Sequence, residues 1–357
     1  MTDRFKRKRD HIELCNEGPV SYTSHEGLFS DFHFVHHGMP ELSMDELELE
    51  TRLLDSQLSA PLMVTGMTGG PDEAGEINRE IAAVCGELGL AFGVGSQRVI
   101  TREPGSLDTF KVRTSAPDVT LFGNLGINQA RDMGVDAVRA LFESIEADYL
   151  AIHLNPAMEL VQPGAEADSD FTAGYETVSR LVDALDGRLI VKECGCGLSP
   201  TVVRRLKGAG VRAVDVSGSG GTSWVKVEAL RATGQQATLG ETFSEWGIPT
   251  LAATGLASRT SDIEIIASGG VDDGLKAAKA LAMGATVVGC ARPVLQAFMR
   301  DGKDGAYAYL STLISGIRMA MALTGVRTPA ELREVPRVVG PQLERWLTQV
   351  AIDEVKS

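Results

Sequence analysis

Short runs of apolar and β-branched residues recur along the chain, separated by longer segments whose apolar positions follow helical spacing. Each run is almost continuously apolar, which is typical of strands that a parallel sheet buries on both faces. The separating segments place Ala, Leu, Glu and Arg at the spacing of amphipathic helices. We predict eight strands: Leu62–Thr65, Ala91–Gly95, Thr120–Gly123, Tyr149–Leu154, Leu189–Glu193, Ala213–Val216, Ile263–Ala267 and Thr286–Gly289.

The segments between the strands indicate how the sheet closes. Five of them predict helices: Ala74–Leu88, Asp136–Ile145, Tyr175–Leu185, Thr201–Lys207 and Gly274–Ala282. Eight successive strand–helix units favour a closed (β/α)8 TIM barrel, which needs about 250 residues. We therefore predict one α/β domain over residues 1–357, with an N-terminal extension at 1–60, the barrel at about 61–300 and closing helices at 301–357.

Two connections are longer than the others, and both follow the carboxyl end of a predicted strand. One contains Asn155–Phe171, which is rich in Pro, Gly and Asp, and the other contains Ser217–Ser261. Barrel enzymes build their active sites from the loops at this end of the strands. We therefore expect the functional site at the mouth of the barrel that these connections border.

Composition narrows the classes of function. The net charge is −14, which disfavours a nucleic-acid surface built on the whole fold. No apolar run reaches the roughly 18 residues of a membrane span, and no apolar segment of a signal peptide follows the basic N-terminus. The five cysteines, an odd number, indicate reduced thiols. These features predict a cytoplasmic protein without a nucleic-acid partner or a membrane span.

The N-terminus concentrates positive charge in an otherwise acidic chain. The cluster consists of Arg4, Lys6, Arg7, Lys8 and Arg9. Composition alone is compatible with a solvated tail. The alternative is an arm that folds over an anionic ligand, because charge-assisted hydrogen bonds to phosphate or carboxylate are strong.

Glycine-rich turns follow the last two predicted strands. The seventh strand runs into Ser268-Gly269-Gly270 before a helix, and the eighth runs into Gly289–Arg292. Glycines let backbone N–H groups approach a phosphate, and a helix N-terminus adds a favourable dipole. Barrels often bind phosphate at these turns, so we predict a phosphate site rather than two ordinary turns. The sixth strand ends in Ser217–Trp224, which resembles a ligand loop but is also compatible with a flexible connector.

Lys192 lies within an apolar predicted strand, where an unpaired charge is costly. An anionic cofactor would offset that cost, and a cationic amine would stabilise an anionic flavin ring. A buried ion pair with another barrel residue is the alternative. Alternation places Cys194 and Cys196 on the same face, but no second ligand pair follows, so the thiols form no metal signature.

Polar groups also follow the fourth strand, where His153 and Asn155 alternate onto one face and Glu159 lies beyond them. A single histidine is more often structural, but the three side chains together favour a ligand site. A carboxylate at this position can hold Mg²⁺ against a diphosphate. The first three strands supply matching groups at Gly66–Gly70, Gly95–Arg98 and Asn124.

In these motifs the chain resembles a known family, the type 2 isopentenyl diphosphate isomerases, over almost its whole length and in the same order. The motifs are Arg7-Lys8-x-x-His11, Pro40-Glu41, Met67-Thr68-Gly69-Gly70, Gly95-Ser96-Gln97-Arg98, Asn124-Leu125-Gly126, His153-Leu154-Asn155, Val191-Lys192-Glu193, Ser217–Trp224, Glu228, Trp246-Gly247 and Ser268-Gly269-Gly270. The resemblance implies an FMN-containing barrel in a homo-oligomer, a tetramer or an octamer. It also implies that reduced FMN interconverts isopentenyl and dimethylallyl diphosphate by proton transfer, with NADPH as reductant and Mg²⁺ as metal.

The resemblance implies roles for individual residues as well. FMN would contact Gly66, Met67, Thr68, Ser96, Asn124, Lys192, Ser217, Thr222, Gly269, Gly270, Ala291 and Arg292. The substrate diphosphate would contact Arg7, Lys8, His11, Ser96, Gln97, Arg98, His153 and Asn155. Glu159 would hold Mg²⁺, and catalytic roles would fall to Lys192, His153, Asn155, Glu228 and Met158.

Three segments depart from the family pattern, and all are candidates for the hydrocarbon end of the substrate. Met158 stands where the family has glutamine, and a thioether neither relays a proton nor forms strong hydrogen bonds. Gln162–Phe171 is longer than the usual form and lacks its Glu-Gly-Asp run, and His36–Glu41 also differs. The FMN and diphosphate motifs are intact.

Other functions stay open as alternatives. A relative on the same scaffold would isomerise or cyclise a longer prenyl diphosphate, with Met158 widening or drying the pocket. A 2-hydroxy-acid oxidase needs a histidine near the seventh strand, but the last histidine in the chain is His153. A nucleotide dehydrogenase with a cysteine nucleophile is disfavoured because Ser217–Trp224 contains no cysteine. A non-catalytic flavin sensor is the remaining class.

Overall fold

The structure is a computed structural model that describes residues 5–163 and 168–350. The strands are β1 (Phe32–Phe34), β2 (Thr51–Leu53), β3 (Ser56–Leu58), β4 (Leu62–Val64), β5 (Ala91–Gly93), β6 (Thr120–Gly126), β7 (Tyr149–Leu154), β8 (Leu189–Glu193), β9 (Ala213–Asp215), β10 (Glu264–Ser268), β11 (Val287–Cys290) and β12 (Arg337–Val339). The helices are α1 (Lys6–Glu17), α2 (Asp72–Glu87), α3 (Arg98–Arg102), α4 (Ile127–Met133), α5 (Val135–Glu143), α6 (Pro156–Val161), α7 (Gly174–Ala184), α8 (Pro200–Gly208), α9 (Trp224–Arg231), α10 (Gly234–Thr242), α11 (Thr250–Thr260), α12 (Gly274–Ala282), α13 (Arg292–Thr324) and α14 (Pro341–Gln349). Arg4, part of Gln162–Phe171 and the end of the predicted closing segment lie outside the described residues.

The eight predicted strands are confirmed, and they close into a parallel barrel in chain order from β4 to β11. The circle is completed where β11 pairs with β4. The five predicted helices are present as α2, α5, α7, α8 and α12. The clearest difference in a boundary is at β6, which runs beyond Gly123 because its last residues pair with β7 as far as His153.

A hairpin closes the amino-terminal end of the barrel. Strands β2 and β3 pair antiparallel, and Leu53, Leu54 and Leu58 pack onto an apolar layer inside the barrel. The backbone N–H of Leu54 donates to the Glu264 carboxylate of β10 at 2.8 Å. Burying a leucine side chain contributes about 1.5–3 kcal/mol. The hairpin thus fills this end, and a ligand enters from the carboxyl ends of the strands.

The two long connections fold into helices at the carboxyl end of the barrel. The connection after β7 contains α6, and the connection after β9 contains α9, α10 and α11. The N-terminal extension crosses the same end, where α1 contacts α9 and α13. Strand β1 then pairs antiparallel with β12, which joins the extension to the C-terminal segment.

Helix α13 bends at Asp301 and Gly302, where the backbone leaves helical geometry. In the described part of the chain it is the one helix long and apolar enough to cross a membrane by length and composition. Leu310, Leu313 and Ile317 are buried, and α13 packs against α2 and α12. About a third of its most apolar stretch is buried, and the expected absence of a membrane span stays a prediction.

Candidate active site

A cavity of about 1080 Å³ opens at the carboxyl ends of the barrel strands. Every barrel strand contributes to its lining at or just beyond its carboxyl end, and α1 contributes from above. Pockets for one small ligand have volumes of roughly 300–1,000 Å³. The cavity is therefore large enough for a cofactor and a substrate together.

Most of the predicted site residues line this cavity. The predicted cofactor contacts all do so, as does Met158: Gly66, Met67, Thr68, Ser96, Asn124, Lys192, Ser217, Thr222, Gly269, Gly270, Ala291 and Arg292. The predicted substrate and metal contacts in the lining are Arg7, Lys8, His11, Ser96, Arg98, His153, Asn155 and Glu159. Gln97 and Glu228 are not part of the lining.

Lys192 is the next-to-last residue of β8, and its side chain is buried. Nζ donates to the backbone carbonyl of Glu193 and lies 3.7 Å from Sγ of Cys194. Strand β9 places Asp215 in register with Lys192. Burial opposes a charge on Lys192, but the thiol of Cys194 and the two carboxylates outweigh it and raise its pKa. Lys192 therefore stays cationic at the cavity wall, beside an acidic partner and within reach of an anionic ring.

Asp215 is a buried carboxylate that our sequence analysis missed. Oδ1 accepts from the Ser268 hydroxyl at 2.7 Å and from the Ser217 backbone N–H at 3.0 Å. Burial raises the pKa of Asp215, although the charge of Lys192 opposes the shift. The bond from Ser268 ties the end of β9 to the end of β10, and the bond from Ser217 fixes the turn that leaves β9. Asp215 could have been found from the sequence, because it is a charged residue within an apolar strand, as Lys192 is.

The glycine-rich loops after β9 and β10 pack directly on each other. A Cβ atom on Gly269 would lie 2.1 Å from the carbonyl oxygen of Gly218, and one on Gly221 would lie 2.4 Å from the backbone nitrogen of Gly270. Gly269 and Gly270 also have φ values of +101° and +78°, which strain other residues. The contact between the two loops is therefore a second reason for glycine at these positions. The first, predicted from the sequence, is the close approach of a phosphate to the backbone.

His153 is held in one orientation by Asn124 on the neighbouring strand. Nδ1 of His153 lies 2.8 Å from Oδ1 of Asn124. Because an amide oxygen only accepts, Nδ1 carries the proton and Nε2 offers a lone pair. Burial, followed by the charges of Lys192, Lys8 and nearby arginines, lowers the pKa of His153 to about 3. His153 is therefore neutral near pH 7 in the protein without ligand.

Helix α6 brings three predicted residues together. Nδ2 of Asn155 lies 3.0 Å from Oε1 of Glu159 and 3.6 Å from Sδ of Met158. All three side chains are buried at the cavity wall. Pro156 occupies the first turn of the helix, where its missing N–H costs nothing. This corner of the cavity combines a carboxylate for a cation with an apolar thioether.

In their described residues, the other two segments that depart from the family pattern do not line the cavity, contrary to expectation. No residue of His36–Glu41 lines it, and none does in the described part of Gln162–Phe171. The backbone N–H of His37 donates to the carbonyl of Leu323 on α13 at 2.9 Å. Of the three departures, Met158 alone borders the proposed site within the described residues.

Within the described residues, Lys6–Arg9 of the basic cluster begin α1, and this helix lies over the cavity as an arm would. Arg7, Lys8 and His11 line the cavity. Nζ of Lys8 lies 3.5 Å from the backbone carbonyl oxygen of Ser96. Burial and the charges of Arg7 and Arg98 lower the pKa of Lys8 to about 7. The cavity therefore holds closely spaced cationic groups that an anion would stabilise.

Glu228 was predicted as a catalytic residue, but its carboxylate lies behind the cavity wall and is fully buried. It accepts from Nε2 of His11 at 2.8 Å and from Arg231 at 2.5 Å. Nε of Arg231 also donates to Asp10 on α1 at 3.1 Å. Glu228 therefore orients His11 and attaches α1 to α9, which makes it a positioning residue.

The prediction that Gln97 contacts the substrate is wrong. Its side chain is fully buried, with Nε2 donating to the carbonyl of Leu141 at 3.1 Å and Oε1 accepting from the N–H of Asn124 at 3.0 Å. Ser96 and Arg98 on either side line the cavity, whereas Gln97 faces away from it. Gln97 thus fixes the part of β6 that carries Asn124.

We expect Gln97→Leu to destabilise the fold while leaving anion binding intact. The substitution leaves the N–H of Asn124 without the partner that Gln97 supplies, and such a buried group costs about 1–3 kcal/mol. The carbonyl of Leu141 loses one donor but keeps the Ser144 hydroxyl at 2.7 Å. Chemical denaturation should show a lower midpoint, and the folded protein should bind inorganic pyrophosphate as before. An unchanged midpoint of denaturation together with much weaker pyrophosphate binding would show that Gln97 contacts the ligand after all.

The floor of the cavity suits a flat ring. A Cβ atom on Gly66 would lie 2.5 Å from Nδ2 of Asn124, so a side chain is excluded there. Asn78, another residue that the sequence did not reveal, donates from Nδ2 to the carbonyl of Thr68 at 2.9 Å and holds this edge in place. The side-chain-free position at Gly66, the cation of Lys192 and the glycine loops fit the ring and the phosphate of FMN.

Comparisons with known proteins agree with this geometry. Residues 151–337 match the family of FMN-dependent dehydrogenases. The isopentenyl-diphosphate delta-isomerase of Pyrococcus furiosus is 40% identical over 352 residues, which cover 96% of this chain and 89% of that protein. The protein of the same name from Methanosarcina barkeri is 40% identical over 339 residues, which cover 94% of this chain and 92% of that protein.

Solved structures share the fold at low sequence identity. A flavocytochrome b2 variant has a TM-score of 0.69 at 18% identity, covering 98% of this chain and 85% of that chain. A mandelate oxidase variant has a TM-score of 0.65 at 17% identity, covering 95% of this chain and all of that chain. Together the fold and the site define a barrel of the FMN-dependent dehydrogenase class. Within that class, the chain belongs to the family of isopentenyl-diphosphate delta-isomerases.

Proposed function

We propose that this protein interconverts isopentenyl and dimethylallyl diphosphate by proton transfer with reduced FMN. The proposal rests on one observation, that the basic residues of α1 and the cation of Lys192 face one cavity. A diphosphate and an anionic flavin are two anions that such cations match. The names of the relatives at 40% identity support this choice of substrate.

The cavity offers suitable groups for both the ring and the phosphate of FMN. Reduced FMN, when bound, supplies the group that gives and takes the proton. Lys192 would balance the negative charge of the ring, and Asn124 would fix its edge. The loops at Gly269 and Gly270 would receive the cofactor phosphate through backbone N–H groups.

The substrate would lie between α1 and the ring. Arg7, Lys8 and Arg98 would hold the diphosphate by charge-assisted hydrogen bonds. Nε2 of His153 would accept a hydrogen bond from a protonated phosphate oxygen, because Nδ1 already donates to Asn124. The helix α1 would also exclude water from the reacting carbons.

We further propose that Glu159 holds Mg²⁺ against the diphosphate. Within residues 5–163 and 168–350, no group of three or more His, Cys, Asp and Glu side chains forms a metal cluster. Mg²⁺ commonly takes one or two protein carboxylates and completes its shell with substrate phosphates and water. The buried carboxylate of Glu159 at the cavity wall suits that arrangement.

The physiological setting is part of the proposal. NADPH would reduce the flavin, the protein would work in the cytoplasm, and it would form a homo-oligomer, a tetramer or an octamer. Exposed apolar side chains support assembly, because such patches mark protein interfaces. Trp246 is 61% exposed, and Phe243 packs edge to face against it.

The direct test is incubation of the FMN-loaded, chemically reduced protein with isopentenyl diphosphate in deuterated buffer. We expect dimethylallyl diphosphate that carries deuterium, and a much slower reaction after treatment with EDTA. Incorporation of deuterium from buffer into geranyl diphosphate alone would contradict the proposal. Tight FMN binding without turnover of either diphosphate would favour a flavin sensor.

The second candidate, turnover of a longer prenyl diphosphate, is favoured by Met158. The thioether contributes apolar surface to the wall beside Asn155, where a hydrocarbon chain gains from contact with it. In this case geranyl diphosphate would be isomerised or cyclised faster than isopentenyl diphosphate in the same assay.

The pKa of Lys8 predicts how substrate binding depends on pH. That pKa is about 7 in the free protein, so the amine is increasingly neutral above pH 7 and must take up a proton when a diphosphate binds. KM should therefore rise with pH, by up to about tenfold for each unit above the pKa. Steady-state assays from pH 6 to 9 measure this rise.

Lys8→Arg is the matched control for this prediction, because a guanidinium does not titrate in this range. The variant should show a flatter rise of KM, and titration of the substrate itself affects both proteins equally. Identical pH profiles in the two proteins would show that Lys8 does not titrate on binding.

A further inference from the structure

Arg292 begins α13 and donates three hydrogen bonds to the segment that ends α1. Nε donates to the carbonyl of Cys15 at 2.7 Å, Nη2 to the carbonyl of Gly18 at 3.0 Å and Nη1 to the hydroxyl of Ser21 at 2.6 Å. One turn later, Gln296 donates to the carbonyl of Asn16 at 2.8 Å. The two side chains of α13 thus form a clasp on the end of α1.

The clasp meets the chemical needs of a helix end. The last carbonyls of an α-helix have no partner within the helix, and a cation there is favoured by the helix dipole. Arg292 supplies both hydrogen bonds and charge to these groups. It follows directly after β11, so the barrel rim fixes its position.

The clasp holds the helix that carries basic residues of the cavity. Arg7, Lys8 and His11 line the cavity from α1. The middle of the helix is attached to α9 through the bond between His11 and Glu228. The clasp attaches its far end to α13. Two attachments fix a helix that has few apolar contacts of its own.

We infer that Arg292 is a positioning residue for substrate binding, which holds α1 so that its basic side chains stand over the cavity. The resemblance instead implies that Arg292 contacts the phosphate of FMN. Three of its five N–H donors, each on a different nitrogen, already bind the end of α1, its capping residue and the segment just after it, so its orientation serves the arm. The inference rests on the proposed diphosphate substrate.

The test compares Arg292→Ala, Arg292→Lys and Gln296→Ala as FMN-loaded proteins. For Arg292→Ala we expect about tenfold weaker binding of inorganic pyrophosphate and a similar rise in KM for isopentenyl diphosphate, with kcat little changed. Amide hydrogen exchange in residues 6–17 should become faster, while the affinity of the apoprotein for FMN stays the same. Arg292→Lys should recover part of the loss, and Gln296→Ala should show a smaller effect in the same direction.

The opposite pattern would overturn the inference. If Arg292→Ala releases FMN while pyrophosphate binding to the remaining holoprotein and exchange in α1 are unchanged, Arg292 is a cofactor ligand. Should Arg292→Ala fail to fold, Arg292→Lys and Gln296→Ala carry the same comparison. Pyrophosphate binding and amide exchange need no turnover, so they test the clasp even where the isomerase assay fails.

Discussion

Lys192→Met is expected to lower turnover of isopentenyl diphosphate by about 10²–10³-fold, the loss typical when one preorganised charged or hydrogen-bonding group is removed from an active site. Methionine keeps much of the length of the side chain but removes the ammonium group, which is the buried cation on the barrel side of the cavity. The kcat of the reduced protein, measured anaerobically, tests this expectation. The absorption spectrum of the bound flavin should shift as well, because the ring loses its counter-charge.

The double variant Lys192→Met with Asp215→Asn separates chemistry from stability. Removing Lys192 alone takes away the charge that opposes the rise in the pKa of Asp215 and Glu193, so both buried carboxylates become harder to ionise and the fold loses stability. Neutralising Asp215 should restore much of the resistance to denaturant but none of the turnover. A Lys192→Met protein with normal turnover and an unchanged flavin spectrum would remove Lys192 from the site.

The barrel could be predicted because its strands are buried on both faces. Short, continuously apolar runs that alternate with helices are compatible with few folds other than a parallel sheet covered on both faces. The charged Lys192 within one such run indicated which end of the strands carries the polar site. The helices of the connection Ser217–Ser261 could not be predicted in this way. α11 is built largely of Ala, Thr, Gly and Leu and is buried around most of its circumference, so it shows no amphipathic period.

The helix α1 illustrates a second limit of the sequence. Its residues are mostly charged, and charge alone does not distinguish a solvated tail from a bound arm. Its position depends on Glu228, Arg231 and Arg292, which are more than 200 positions away in the chain. Tertiary contacts of this kind leave no local pattern, so the arm could be proposed but not its attachments.

Gln97 and Glu228 show why motif neighbours are not always site residues. Gln97 lies between two residues of the cavity wall, yet it points away and bonds to backbone groups. Glu228 does not line the cavity, and it contacts the site through His11. The sequence identifies the motif in which such residues lie. It does not distinguish a residue that contacts the ligand from one that holds the site in place, because both roles constrain the same short segment.

Met158→Gln is expected to raise turnover of isopentenyl diphosphate about tenfold or more. The thioether receives only a weak contact from Nδ2 of Asn155 at 3.6 Å, and it can neither donate nor relay a proton. An amide of similar length would accept that bond strongly and present a second hydrogen-bonding group to the cavity. Positioned proton-transfer groups contribute about 10²–10⁴-fold to rates, so a partial gain is a modest expectation.

Met158→Leu is the matched control, because leucine keeps the volume and the apolar character but offers no hydrogen bond. Its turnover should equal that of the parent protein, and both should be compared with isopentenyl and geranyl diphosphate as alternative substrates. If the glutamine variant is no faster on isopentenyl diphosphate and loses activity on the longer chain, position 158 contacts hydrocarbon. The proton then moves on a route that does not pass through position 158, and the corner formed with Asn155 and Glu159 selects the substrate instead of driving the reaction.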